Sequence, residues 1–228
     1  MSATFLFPDN KDFSPDFKDV ARYLGYRRAA PPEANVSALM EKAAGEMQTV
    51  MKAQTVFEIY DLSVVECRDS GVSKPPYEPT NQVVSIRPSD YSTTLSFADV
   101  TLQSQDLGRN LAGCSQVALL AATIGPQVDA LIRRYSSLDP VYASIMQATG
   151  AMFIEELVDL VNSEIKKIAA GQGLKTRPRY SPGYGDVPLQ VQKDFFRLLP
   201  CTRIGLTLMD TLIMAPEKSV TAFVGIGG

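Results

Sequence analysis

No histidine occurs anywhere in the 228 residues, and that absence removes more chemistry than any other feature of the sequence. Without imidazole there is no Ser-His-Asp or Cys-His triad, no HExxH zinc site, no histidine proton shuttle and no histidine ligand to a corrin or haem metal. Any chemistry falls to carboxylates, arginines, tyrosines or a bound cofactor, and a binding or positioning role gains weight. Cysteine is nearly as scarce. Cys67, Cys114 and Cys201 lie far apart with no CxxC spacing, which argues against a disulfide framework and fits a reducing, cytoplasmic compartment. Basic blocks are missing at a net charge of -3, so a nucleic-acid surface that tracks phosphates is not expected. Long apolar runs are missing as well. The longest, VALLAATIG from Val117, is about half the length a membrane span requires, and MSATFLFPDN has neither the basic nor the apolar region of a signal peptide.

What remains is the composition of an ordinary globular protein, 45% hydrophobic and 21% charged, long enough to bury a sizeable core as one large domain or two small lobes. DFKDVARYLGYRR reads as a short helix ending near Gly25. Val36, Leu39, Met40, Ala43, Met47, Val50 and Met51 recur at helical spacing, with Asn35 or Ser37 as the expected cap. TVFEIYDLSVVEC is β-branched and aromatic, hence a strand. The proline-rich segment after it is expected to be irregular, with short strands at Gln82–Ile86 and Thr93–Phe97.

SQDLGRNLAGC reads as a helix closed at Gly113, SQVALLAATIG as a fully buried strand, and PQVDALIRRYSS as a helix opening on Pro126. Asp139 caps the longest helix, whose apolar stripe runs from Tyr142 to Ile168. LQVQKDFFRLL is a further helix, followed by two strand-like runs, IGLTLMDTLIM and SVTAFVGI, joined by the turn APEK. Strands and helices without strict βαβ alternation predict an α+β fold with a largely antiparallel twisted sheet and flanking helices. The expected organisation is an N-terminal region over residues 1–100 packed on the same domain as residues 101–228.

One loop stands out. RPRYSPGYGDVP, Arg177 to Pro188, contains three prolines and two glycines. Each proline fixes its own φ and restricts the residue before it, while Gly183 and Gly185 can adopt conformations closed to other residues. The backbone should therefore follow one path and project Arg179 and Tyr184. An arginine fork suits a carboxylate or phosphate, and a tyrosine offers a ring face and a hydroxyl. Each also has a plain reading, a solvated surface charge and a core-packing ring. Glu156 falls on the apolar stripe four residues after Met152, and Glu155 is rotated toward the polar side. A core-facing carboxylate needs donors or a cation. It either bonds a nearby backbone group or an arginine such as Arg179, or binds an amine-bearing small molecule. Cys114 and Cys201 have no base partner and read as buried thiols.

TRPRYSPGYGDVPLQVQ and RIGLTLMDTLIMAPEKSV together resemble the activation (reactivation) domain of cobalamin-dependent methionine synthase, especially its short free-standing relatives. The carrying motif is R-x-x-x-G-Y with a proline four residues on, here Arg179, Gly183, Tyr184 and Pro188, joined by the block from Pro216 to Val220 and by ATIG at Ala122 to Gly125. The likeness covers about residues 100–226, and more loosely the remainder.

The resemblance implies binding of S-adenosylmethionine: Arg179 on its carboxylate, the backbone of Ser181, Pro182, Gly183 and Tyr184 along its adenosyl part, and Glu155 and Glu156 as nearby acids. It also implies a partner, a separate cobalamin- or corrinoid-binding methyltransferase chain that carries the cobalt, with a flavoprotein or iron–sulfur protein as candidate reductant. Cobalamin would be met only through that partner. Two departures matter. The family's LTES is LMDT here, Leu208 to Thr211, and the sequence ends at Gly228 soon after KSV, so part of the cofactor's enclosure is expected to be missing. The rival expectations are an adapter that docks without productive cofactor binding, and an independent enzyme acting on a small carboxylate held by Arg179.

Overall fold

Alternation along the buried strand sets the architecture. Val117, Leu119 and Ala121 join one hydrophobic cluster, whereas Ala118, Leu120 and Ala122 join another, because successive side chains of a strand point to opposite faces. A strand apolar on both faces must be covered on both, and three layers result. The computed structural model of the chain describes residues 2–27, 29–68 and 91–228. In chain order its elements are β1 (Thr4–Leu6), α1 (Phe17–Tyr23), α2 (Ala34–Val50), β2 (Gln54–Arg68), β3 (Tyr91–Phe97), β4 (Val100–Gln103), α3 (Gln105–Asn110), β5 (Cys114–Thr123), α4 (Pro126–Leu138), α5 (Pro140–Gly171), β6 (Lys175–Thr176), α6 (Gln192–Leu198), β7 (Thr207–Leu208), β8 (Met214–Ala215) and β9 (Ser219–Gly227).

The main sheet runs β4-β3-β2-β5-β9-β6, with β1 beside the first half of β2. Every strand pair among the described residues is antiparallel, in keeping with the expected α+β class. α1, α2, α4 and α5 cover one face through Val20, Met47, Ile132 and Phe153. The other face is closed by α3, α6 and the loop before α6 through Leu107, Phe195 and Val187. Strands from both sides of residue 100 share the sheet.

Local chemistry explains the element ends. Asp139 accepts from the Tyr142 N–H at 3.0 Å and opens α5, while Pro126 opens α4 at a position where its missing N–H costs nothing. α2 starts one residue before Asn35, with Glu33 at its cap position and no side-chain cap bond, so neither Asn35 nor Ser37 caps it. Ile168, at the end of the α5 stripe, is exposed.

The run IGLTLMDTLIM is not a strand. It holds the end of a 3-10 turn, then β7 and β8, which among the described residues pair only with each other, in a two-residue hairpin. Its alternating pattern is interrupted where Gly205 takes φ 71° and Leu212 takes φ 65°, and Met209 and Leu212 close the reversal through backbone bonds. Thr93–Phe97 lies within β3 as expected, whereas the strand expected at Gln82–Ile86 falls outside the described residues.

Candidate functional site

The proline- and glycine-rich loop follows β6 and continues along the sheet edge. Arg177 N–H donates to Gly225 O at 2.8 Å, and Tyr180 and Phe223 exchange backbone bonds at 3.0 and 2.8 Å. This strand-like passage throws neighbouring side chains to opposite faces. Tyr180 packs with the cluster under α3 and α6, and Arg179 turns the other way, toward α5.

Beyond Tyr180 the chain folds back on itself. Tyr184 N–H donates to Ser181 O at 3.3 Å, Gly183 N–H to Val187 O at 3.0 Å and Val187 N–H to Tyr184 O at 3.0 Å, and the Tyr180 hydroxyl donates to Tyr184 O at 3.2 Å. Gly185 is required here. It sits at φ 54°, and a Cβ there would overlap Tyr180 Oη and the Asp106 carboxylate. Asp186 then pins the loop to α3: its carboxylate accepts from Ser104 Oγ, from Gln105 N–H at 2.6 Å and from Asp106 N–H at 3.3 Å. An anion at a helix N-terminus meets unsatisfied N–H groups and the positive end of the peptide dipoles.

Arg179 is held by two carboxylates of α5. Nη1 bonds Asp159 Oδ1 at 2.5 Å, and Nη2 bonds Glu155 Oε2 at 3.1 Å. Only 24% of the arginine side chain is exposed, against 46% for Glu155 and 68% for Asp159. Glu155, Asn162, Pro178, Arg179, Tyr180, Ser181, Tyr184 and Val220 line a cleft of about 520 Å³ between helix and loop. Pro182 is buried and Gly183 is exposed, and neither is among the lining residues. Tyr184 stands at its rim, 70% exposed, as a free ring face and not a core tyrosine. Asn162 Oδ1 is buried without a hydrogen-bond partner among the described residues.

The structure separates the two glutamates singled out from the sequence. Glu155 joins Arg179, but Glu156 lies a residue further round α5, where its Oε1 accepts from the Ser14 N–H at 2.7 Å. Its other oxygen is buried and unpartnered among the described residues, and burial raises its pKa above the ordinary carboxylate range. Glu156 therefore ties down the N-terminal segment and is not gathered with Arg179. Asp159 and Asn162 were missed, although Glu155, Asp159 and Asn162 recur four and three residues apart, the spacing of one helix face. Cys114 and Cys201 are free, buried thiols, with burial raising both pKa values, that of Cys201 to about 12.

A wider groove of about 920 Å³ opens between α1 and α2, lined by Phe17, Tyr26 and Met40 among others. Arg22 and Asp19 on its wall pair with each other at 2.9 Å, and it contains none of the candidate site residues read from the sequence. No group of three or more acids and cysteines arranged for a metal ion occurs among the described residues, and no described helix is long and apolar enough to cross a membrane.

An antiparallel sheet with its heavy helical layer on one face is an architecture met in a known class of domain. The crystal structure of the MetH reactivation domain bound to AdoHcy superposes with a TM-score of 0.62 over 99% of this chain and 78% of that one, at 12% identity. The chain thus shares that domain's fold. No protein-family model matches the sequence, and no curated protein does either.

The cleft suits a small molecule that carries a carboxylate, an ammonium and an aromatic ring. Its volume lies within the roughly 300–1,000 Å³ of small-molecule sites. Arg179 offers a fork for a carboxylate, Glu155 an acid for an ammonium, Asn162 an orphaned acceptor, and Tyr184 an exposed ring for stacking on a base.

Proposed function

We propose that this chain is a stand-alone S-adenosylmethionine-binding domain of the reactivation type, which presents that cofactor to a separate cobalamin- or corrinoid-binding methyltransferase and so supports its reductive methylation. The observation that carries the reading is Arg179, fixed by an R-x-x-x-G-Y loop at the wall of a cleft, in a fold shared with a domain solved with AdoHcy bound. When bound, the cofactor supplies an electrophilic methyl group. The protein's own part is positional: Arg179 holds the carboxylate end, Glu155 the ammonium, and Ser181 to Tyr184 the adenosyl end. Presenting a reactant in one orientation contributes to rate without a protein acid or base, which is consistent with a chain that has no histidine. A cytoplasmic setting, a corrinoid partner, and a flavoprotein or iron–sulfur reductant complete the reading.

One observation favours the adapter as a second reading. Arg179 is already paired with two carboxylates, so a ligand has to compete for it. Calorimetric titration of the purified chain with S-adenosylmethionine separates the two. Saturable binding abolished by Arg179→Ala supports the first reading; silence at millimolar ligand supports the adapter.

A further inference from the structure

We infer that Asp159 is a positioning residue for the ligand arginine: it holds the Arg179 guanidinium from outside the cleft, so that the remaining edge faces a ligand carboxylate. The inference rests on the function proposed above. Its basis is the unequal placing of the two acids. Glu155, on Nη2, is part of the cleft lining, whereas Asp159, on Nη1, is not among the lining residues. A ligand carboxylate entering the cleft meets the Nη2 side and displaces Glu155, which is then free for the ligand's ammonium. The contact on Nη1 faces away and persists. Asp159 is well placed to hold it. It stands one turn after Glu155 on the same helix, and its side chain stays 68% exposed while the arginine side chain it grips is only 24% exposed. The pair thus fixes a long side chain without burying a second charge. An arginine free at that end would have to be ordered at the moment of binding, and immobilising one rotamer-rich side chain weakens binding by roughly two- to tenfold.

Two effects of removing Asp159 oppose each other. Loss of a negative charge relieves its repulsion of a ligand carboxylate, but the Asp159 side chain is 68% exposed, and a water-like dielectric leaves that repulsion weak even at the few ångströms between two acceptors on one guanidinium. The loss of hydrogen-bonded geometry acts at contact and dominates.

The test measures binding of S-adenosylhomocysteine and of 5′-methylthioadenosine, its carboxylate-free counterpart, to the full chain and to Asp159→Ala and Asp159→Asn. Expected is a loss of about three- to tenfold for S-adenosylhomocysteine in Asp159→Ala, with the carboxylate-free nucleoside unaffected. Asp159→Asn, which keeps an acceptor for Nη1, retains most of the affinity. Equal or tighter binding by Asp159→Ala, or an equal loss for both nucleosides, overturns the inference and leaves the cofactor site standing. Failure of the unaltered chain to bind either nucleoside overturns both.

Discussion

Replacing Asp186 by alanine tests whether the loop that bears Arg179 is anchored as the structure implies. Its carboxylate is the shared acceptor for Ser104 Oγ, Gln105 N–H and Asp106 N–H. Ser104 is only 3% exposed, so water cannot simply replace the lost acceptor at its hydroxyl, while Asp186 itself is half-buried and its amide partners can be partly rehydrated. Losing a helix-capping acceptor costs about 0.5–2 kcal/mol, and hydrogen bonds to a charged group sit at the upper end. The expected destabilisation is therefore about 2 kcal/mol, or roughly 4–8 °C in melting temperature for a chain of this size. Asp186→Asn keeps one acceptor oxygen and should cost about half as much. Thermal unfolding followed by circular dichroism reads both values, and calorimetry on the same samples should show weakened S-adenosylmethionine binding once Arg179 is less firmly held. A melting temperature for Asp186→Ala within about 1 °C of the unaltered chain would falsify the anchoring argument.

Gly185→Ala should be more damaging than an ordinary loop substitution. Placing an L side chain at φ 54° costs about 1–2 kcal/mol, and the added methyl also overlaps Tyr180 and Asp106. Gly45→Ala should do the opposite: it lies inside α2 with nothing within 4 Å of the added Cβ, so denaturant unfolding should show a gain of about 0.5–1 kcal/mol. Arg179→Ala should abolish cofactor binding yet cost less than about 2 kcal/mol of stability, since exposed ion pairs contribute roughly 0.2–1 kcal/mol each; a mutant that fails to fold would make the arginine a structural residue.

Glu156→Gln tests the raised carboxyl pKa. Above the ordinary carboxylate range the folded chain holds this proton more tightly than the unfolded chain. Stability should then fall as pH rises from there through the raised folded value. The glutamine variant should lack that fall and match the native chain at lower pH, and parallel profiles would refute the assignment.

The legible parts of the fold were those where punctuation and periodicity agree. Pro126 and Asp139 mark the starts of α4 and α5, and the unbroken apolar run at β5 implies cover on both faces, which the two core clusters supply. IGLTLMDTLIM carries the same alternating signal as a genuine strand, so periodicity alone misassigns it. What decides is that Leu212 adopts φ 65° in a reversal closed by its bond to Met209, a conformation that leucine's type gives no reason to expect. Exposure of Met209 and Ile213 at that hairpin is likewise a tertiary outcome. The rigid loop could be read because proline and glycine restrict the backbone locally. Its attachment could not, because Asp186 finds Ser104 82 residues away.

The separation of Glu155 from Glu156 shows why helix spacing narrows a site without completing it. One residue is about 100° of rotation, enough to send adjacent carboxylates to different neighbours. Periodicity correctly put Glu156 on the core side, and there it found a backbone donor at Ser14, which is how a partly buried acid is satisfied without a cation. The acid on the polar side was the one free to meet an arginine arriving from a loop. The same reasoning extends down the helix: four residues beyond Glu155 stands Asp159, more exposed still, at the outer edge of the guanidinium. A core-facing carboxylate is drawn into holding the fold together because its desolvation has to be met at once. A carboxylate about 100° away, on the more exposed face, pairs with an arginine instead, and it is along that face, through Glu155 and Asn162, that the cleft formed.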